Sequence, residues 1–144
     1  MTKVEHLYLP YLDDVVNLAE SSSEFLVPNN RMIYYLACTV FSKYSFVAIK
    51  ENVPAGFLFS VPNMEARYIW LHQIAVNQAD RRIGIGSQLI DKLEELISRE
   101  GYFDTVKCAI KSNNSASKTL FYSHGYSCLG TDDYLNMEIF EKHL

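Results

Sequence analysis

The chain has 144 residues, enough for one domain with a real core and too few for two. Apolar residues make up 49%, which excludes a disordered chain, and a net charge of −4 argues against nonspecific binding to nucleic acid. No stretch approaches the ~20 apolar residues of a membrane span, no leader-like segment opens the chain, and the three cysteines (Cys38, Cys108, Cys128) form no Cys-x-x-Cys pair. A cytoplasmic protein without a metal site or membrane contact is therefore expected, its thiols being small core residues in a reducing compartment.

In chain order, Val4 to Leu9 reads as a short strand. Pro10 suits a first helical turn, and Val15, Leu18 and Ala19 repeat at helical spacing to about Glu20. Ser21-Ser22-Ser23 ends that pattern. Pro28-Asn29-Asn30 is a turn and N-cap for a second helix from Arg31 to about Phe41. Its interior, Met32 to Cys38, is apolar nearly all round, which predicts burial on more than one side.

Ser45–Ile49 and Ala55–Val61 read as a hairpin across Glu51-Asn52-Val53-Pro54, and Arg67–Val76 as a long third strand. Leu89, Ile90, Leu93, Leu96 and Ile97 then form one stripe of a helix capped by Gly101. Thr105–Ile110 is a β-branched strand. Ser115 to His124 is a short helix ended by Gly125, and Tyr126–Leu129 and Tyr134–Phe140 are closing strands. Helices interspersed among strands in this way indicate a mixed α/β (α+β) sheet with helices on its faces.

The most informative segment lies between the third strand and its helix: Ile74-Ala75-Val76, then Arg81-Arg82-Ile83-Gly84-Ile85-Gly86-Ser87. A helix start leaves backbone N–H groups without partners and carries partial positive charge. Gly84 and Gly86 lack Cβ and let an anion approach the backbone, while Arg81 and Arg82 add full charges beside it. The spacing is neither a P-loop nor Gly-x-Gly-x-x-Gly.

Arg-x-x-Gly-x-Gly between Ile74-Ala75-Val76 and Leu89-Ile90 resembles the pyrophosphate-binding motif of the GNAT superfamily, the acetyl-CoA-dependent N-acetyltransferases. Asn114-Ser115-Ala116-Ser117-Lys118-Thr119-Leu120-Phe121 with Gly125-Tyr126 resembles that superfamily's second signature, and the order of elements matches over essentially the whole chain. A weaker resemblance, through Gln73-Ile74-Ala75-Val76, Asn30–Phe41 and Asn-x-Ala-Ser-x-x-Leu-Phe, is to the diaminobutyrate acetyltransferase branch.

The resemblance implies one GNAT domain over residues 1–144, with a mixed, mostly antiparallel seven-stranded sheet splayed between Arg67–Val76 and Thr105–Ile110 and flanked by about four helices. It implies acetyl-CoA as cosubstrate, held by Ile74 to Val76, Arg81 to Ser87, Asn114, Ser117 and Phe121. A bulge near Val76 would supply an N–H for the carbonyl oxygen of the tetrahedral intermediate. The acceptor is expected to be a primary amine of a small molecule, such as an amino acid or diamine, attacking directly. A protein N-terminus or lysine is the alternative acceptor, and a noncatalytic acyl-CoA-binding module the alternative class.

An alkylammonium is almost fully protonated at pH 7, so a base or water chain is needed; His72, with an ordinary pKa in the right range, is the leading candidate, with Glu65, Glu24 or ordered water as alternatives. The superfamily's usual acid Tyr falls on Phe121 here. Its neighbour Tyr122 is the catalytic candidate, although one residue is about 100° of helix rotation and points it elsewhere. Glu24, Arg31 and Tyr35 are candidate acceptor contacts, since the region between the first two helices commonly lines the acceptor site in GNATs; Tyr34 could line the same pocket, and for both tyrosines a core role is the alternative. The final strand is a possible homodimer contact.

Overall fold

A computed structural model describes residues 2–23, 26 and 28–144. Its strands are β1 (Thr2–His6), β2 (Phe46–Lys50), β3 (Val53–Asn63), β4 (Tyr68–Val76), β5 (Thr105–Ile110), β6 (Ser127–Asp132) and β7 (Met137–His143). Its α-helices are α1 (Leu12–Ser21), α2 (Arg31–Cys38), α3 (Ile85–Glu100) and α4 (Ser115–Ser123). The strands form one seven-stranded sheet in the order β1-β2-β3-β4-β5-β7-β6, antiparallel except for the parallel β4–β5 pair. The expected mixed, mostly antiparallel α/β fold with four helices is the one observed.

Each face of the sheet carries its own core. On one face the α3 stripe (Ile85, Leu89, Ile90, Leu93, Leu96, Ile97) packs with Phe121 of α4 and the strand residues Leu58, Val106 and Phe140. On the other, Val15, Leu18 and Ala19 of α1 and Tyr34, Ala37 and Cys38 of α2 pack on Val47, Phe57 and Phe59. Fully burying a large apolar side chain contributes about 1.5–3 kcal/mol, so these two layers hold the sheet between its helices.

Local chemistry explains most boundaries. Asn30 Oδ1 accepts from Ile33 N at 3.1 Å and Asn114 Oδ1 from Ser117 N at 3.1 Å, the expected caps of α2 and α4. Gly101, at φ 71°, returns its N–H to Ile97 O and closes α3.

Several expectations shift. The first strand ends at His6, because Pro10 already lies in a 3-10 turn. The β2–β3 turn contains only Glu51 and Asn52, both at positive φ, as a tight two-residue hairpin requires. Pro54 is therefore inside β3, at a bulge opposite Ile49, where its missing N–H is tolerated. Arg67, at φ 60°, ends a turn, so β4 begins at Tyr68. The last hairpin turns where Asp132 Oδ1 accepts from Tyr134 N and Leu135 N, so Tyr134 lies in the turn and β7 starts at Met137. α2 stops at Cys38 and is buried on one side only: Met32 and Tyr35 are exposed.

Candidate active site

The sheet opens at its centre. β4 and β5 pair only through Ile69↔Val106 and Trp70↔Lys107, and beyond those residues they diverge. The cause lies in β4. Its pairing with β3 runs Phe59↔Gln73 and then Ser60↔Leu71, which leaves His72 as an extra, bulged residue. A bulge bends a strand and reverses which side chains face each way. Ile69 and Leu71 face the α3 layer before it; after it Ile74 and Val76 face that layer, and Ala75 turns to the α1/α2 layer. The bulge expected near Val76 is thus found at His72, four residues earlier, where the strands part.

The opening is a cleft of about 450 Å³, within the range of small-ligand sites. From β4 it is lined by Trp70, Leu71, His72, Gln73 and Ile74, and from β5 and the residue after it by Cys108, Ala109, Ile110 and Lys111. Asn114, Ser117 and Phe121 close it on the α4 side, Leu26 and Asn29 on the α1–α2 side, and Leu135 and Met137 at the last hairpin. The fold thereby brings together five of the expected site residues: His72, Ile74, Asn114, Ser117 and Phe121.

Helix α3 follows β4 after a connection over residues 77–84 that includes a 3-10 turn at Gln78–Asp80. Gly84, at φ 90°, is its N-cap and offers no side chain to the first turn, and its carbonyl first accepts from Gln88 N. The N–H groups of Ile85, Gly86 and Ser87 are therefore without an intrachain acceptor among the described residues, which leaves a concentrated set of donors for an anion. A Cβ at Gly84 would meet nothing within 4 Å, so the backbone is open to a ligand there. Gly86 has a different reason: a Cβ would sit 3.0 Å from Leu120 Cδ2, so this glycine seats α3 against α4.

Of the two arginines, only Arg82 is exposed. Arg81 is half-buried, its Nε donating to Val76 O at 3.1 Å, so it secures the end of β4. Ile85 is buried in the core, and its main chain alone faces the loop. Ala75 and Val76 pack behind the cleft, and Ile83 and Ser87 lie on the loop and first helical turn. Open donors, a left-handed glycine and a free guanidinium fit the diphosphate of a coenzyme A, with the adjoining cleft able to receive its thioester arm.

On the α1–α2 side a chain of hydrogen bonds leads to His72. Tyr34 Oη donates to Gln73 Oε1 at 2.8 Å and accepts from Asn29 N at 3.0 Å. Asn29 Nδ2 lies 3.0 Å from His72 Nε2. An amide NH₂ only donates, so Nε2 accepts and the imidazole is the neutral Nδ1–H tautomer. The ring keeps open surface, yet it rests edge-on against Phe59 (centroids 5.4 Å apart) inside the concave cleft, and this burial lowers its pKa below 6.5. A neutral imidazole at pH 7 suits a proton acceptor.

The remaining expected residues sit elsewhere. Tyr122 is exposed and meets Phe140 edge-on with centroids 5.2 Å apart, outside the cleft lining. Arg31 is exposed and holds Asp13 at 2.6 Å. Tyr35 lies on the outer face of α2, whereas Tyr34 reaches the site. Glu24 lies outside the described residues. Sequence reasoning missed Asn29 as a site residue, along with Gln73 and Lys111; the Asn29-Asn30 pair was legible as a turn, not as a contact to residue 72. Burial pushes the Cys108 thiol up to about 12, which keeps it protonated and unfit as an acyl-carrying nucleophile.

Comparisons with known proteins agree with this geometry. A sequence profile described as the acetyltransferase (GNAT) family matches residues 12–126. An L-2,4-diaminobutyric acid acetyltransferase of Streptomyces anulatus is 32% identical over 106 residues, 71% of this chain and 59% of that protein. The enzyme of the same name from Shouchella clausii is 32% identical over 126 residues, 83% of this chain and 68% of that one. The match thus spans about three fifths of the length of the Streptomyces relative.

Among solved structures, a diaminobutyrate acetyltransferase from Paenibacillus lautus, in complex with L-2,4-diaminobutyric acid and coenzyme A, superposes with a TM-score of 0.88 at 17% identity, covering 99% of this chain and 95% of that one. The PaiA N-acetyltransferase of Thermoplasma acidophilum, in complex with coenzyme A, gives 0.81 at 16% identity over 100% and 99% of the two chains. These likenesses are to the fold. With the profile covering most of its length and both site elements in place, this chain belongs to the GNAT acetyltransferase family.

Proposed function

We propose that residues 1–144 act as one N-acetyltransferase domain, transferring acetyl from acetyl-CoA to a primary amine of a small molecule. The observation that carries this reading is the splay of β4 from β5 at the His72 bulge, together with the open donors of α3, whose Gly86 packs on the α4 that closes the cleft. Bound acetyl-CoA supplies an activated thioester. The main chain of Ile85 to Ser87, with Arg82, grips its diphosphate. Asn114, Ser117 and Phe121 form the α4 wall along the thioester arm. His72 Nε2 takes a proton from the acceptor ammonium once Asn29 yields that position. Past Trp70 the β4 edge has no partner strand, so alternate N–H groups there point into the cleft, where they stabilise negative charge on the acetyl oxygen.

A thiolate of pKa ~8.5 leaves without a strong acid, so no side-chain donor is required. We therefore assign no proton transfer to Tyr122, and Tyr122→Phe should leave the rate within about twofold. Arg31 and Tyr35, on outer surfaces, have no assigned acceptor contact; Tyr34, buried behind the cleft wall, holds Asn29 and Gln73 in place instead of touching the acceptor. The names of the relatives make 2,4-diaminobutyrate the first acceptor to try. The three free thiols fit a reducing, cytoplasmic setting, and no helix among the described residues is long and apolar enough to cross a membrane. The final strand, β7, lies between β5 and β6 and offers no free edge, so the exposed edge strand β6 replaces it as the surface we propose for any homodimer.

The test is a thiol-release assay with purified protein, acetyl-CoA and a panel of amino acids, diamines, aminoglycosides and peptides. Release driven by small amines supports the proposal. Release driven by peptides alone points to protein acetylation. Acetyl-CoA binding without turnover on any acceptor points to a noncatalytic module.

A further inference from the structure

The cleft has a charge that the reading above leaves unused. Lys111 follows β5 and lines the opening, half-buried. Of the eight lysines in the sequence, six are ion-paired: Lys3, Lys43, Lys50, Lys107, Lys118 and Lys142. Lys111 has no carboxylate within ion-pair distance among the described residues. The contrast with the strand it follows is direct. Lys107, on β5, faces Glu141 at 3.9 Å. Glu138, the register partner of Ile110, is already taken by Lys118 of α4. No Asp or Glu lines the cleft among the described residues.

The position is also specific. Val106, Cys108 and Ile110 point into the α3/α4 layer, so alternation turns Lys107 and Ala109 to the opposite face, and Lys111, the first residue past the strand, lines the cleft just beyond them. The opposite face is that of Asn29 and Leu26, and of His72, which rests on Phe59. His72 and Lys111 therefore both line the cleft, His72 from the bulge of β4 and Lys111 from the end of β5. The phosphate donors of α3 and Arg82 are not part of this lining.

We propose that Lys111 receives the carboxylate of the acceptor, and that the cleft selects amino-acid amines over polycationic amines of the same length. This inference rests on the acetyltransferase reading and adds an acceptor class to it. A lysine that lines a concave cleft and lacks a counter-ion is available to a ligand anion, and the cleft walls screen such a pair less than open solvent does. A diamine lacking a carboxylate brings only positive charge to the same place and is repelled.

The probe pair is 2,4-diaminobutyrate and 1,3-diaminopropane, which share amine spacing and differ by the carboxylate. Each is titrated calorimetrically into CoA-saturated protein, wild type, Lys111→Met and Lys111→Arg, with circular dichroism as the fold control. The expected result is a preference of about tenfold or more for the amino acid in wild type, consistent with one charge-assisted contact. The preference falls below about twofold in Lys111→Met and is largely kept in Lys111→Arg, with CoA affinity unchanged in both. The proposal is overturned if wild type binds the two equally or binds neither, if Lys111→Met keeps the preference, or if that variant loses CoA instead. Acetylation rates are read separately: tight amino-acid binding without acetyl transfer sinks the enzyme reading and leaves the Lys111 assignment intact.

Discussion

Asn29 Nδ2 and His72 Nε2, 43 residues apart in sequence, lie 3.0 Å from each other and join the loop before α2 to the bulge of β4. The contact favours the neutral ring, because a donor facing Nε2 has nothing to bond once that nitrogen is protonated. Asn29→Ala should therefore raise the His72 pKa toward its ordinary value. If His72 is the base, the acidic limb of the rate–pH profile moves to higher pH in this variant, with the plateau rate less affected. An acidic limb that stays put would separate Asn29 from proton transfer.

His72 itself carries a prediction in two windows. Burial depresses its pKa in the folded protein below 6.5, so at pH 7 the base form dominates and the rate should fall only as pH drops beneath that value. His72→Gln should lower the plateau rate by about 10²–10⁴-fold, the usual scale of general-base loss, and flatten the acidic limb. Stability follows the same sign. Below pH 6.5 the unfolded chain binds a proton that the folded ring resists, so folding free energy declines as the pH falls. Chemical denaturation of wild type and His72→Gln between neutral and mildly acidic pH should show a shallower decline in the variant.

What could be read in the sequence was what local chemistry determines. The α3 stripe, the Gly101 stop and the Asn30 and Asn114 caps each depend on residues within a turn or two, and all appear as expected. The His72 bulge depends on how β4 registers against β3, a pairing no local pattern encodes, and the expected bulge was consequently placed too late on the strand. The choice between Tyr34 and Tyr35 depends on the rotation of α2, and its nearly all-round apolar sequence gave no preferred face. Gly86 was read as a ligand-facing glycine because its partner Leu120 lies 34 positions away in sequence. Arg81 looked like a free cation for a similar reason, its carbonyl acceptor being visible only once β4 is built.

The loop glycines separate binding from folding. Gly84→Asp places a carboxylate at the open donors of α3, and coenzyme A affinity should fall at least about 100-fold through charge repulsion and blocked approach. The fold should survive, since a Cβ there meets nothing within 4 Å; the left-handed φ of 90° costs about 1 kcal/mol. Gly84→Ala isolates that strain, and its CoA affinity should remain near wild type. Titration of coenzyme A beside a thermal melt checks both. Equal affinity in Gly84→Asp and wild type would remove this loop from the coenzyme site.

Arg81 and Arg82 are neighbours with opposite burdens. Arg82 is exposed and sits at φ 66°, a strained conformation for a residue with a side chain. Arg82→Gly relieves that strain and removes a phosphate contact, so melting temperature should hold or rise while CoA affinity drops by about 10–100-fold, the worth of one charged hydrogen bond. Arg81 instead secures Val76 O and reaches Ser22 Oγ at 3.5 Å, joining the end of β4 to the end of α1. Arg81→Ala should lower stability by about 1–3 kcal/mol, the cost of leaving a half-buried carbonyl without its charged donor. Any loss of CoA binding in that variant should shrink when the loop is restored by lower temperature. Calorimetry and CoA titration across temperature test this division, and it fails if Arg81→Ala is as stable as wild type yet cannot bind coenzyme A.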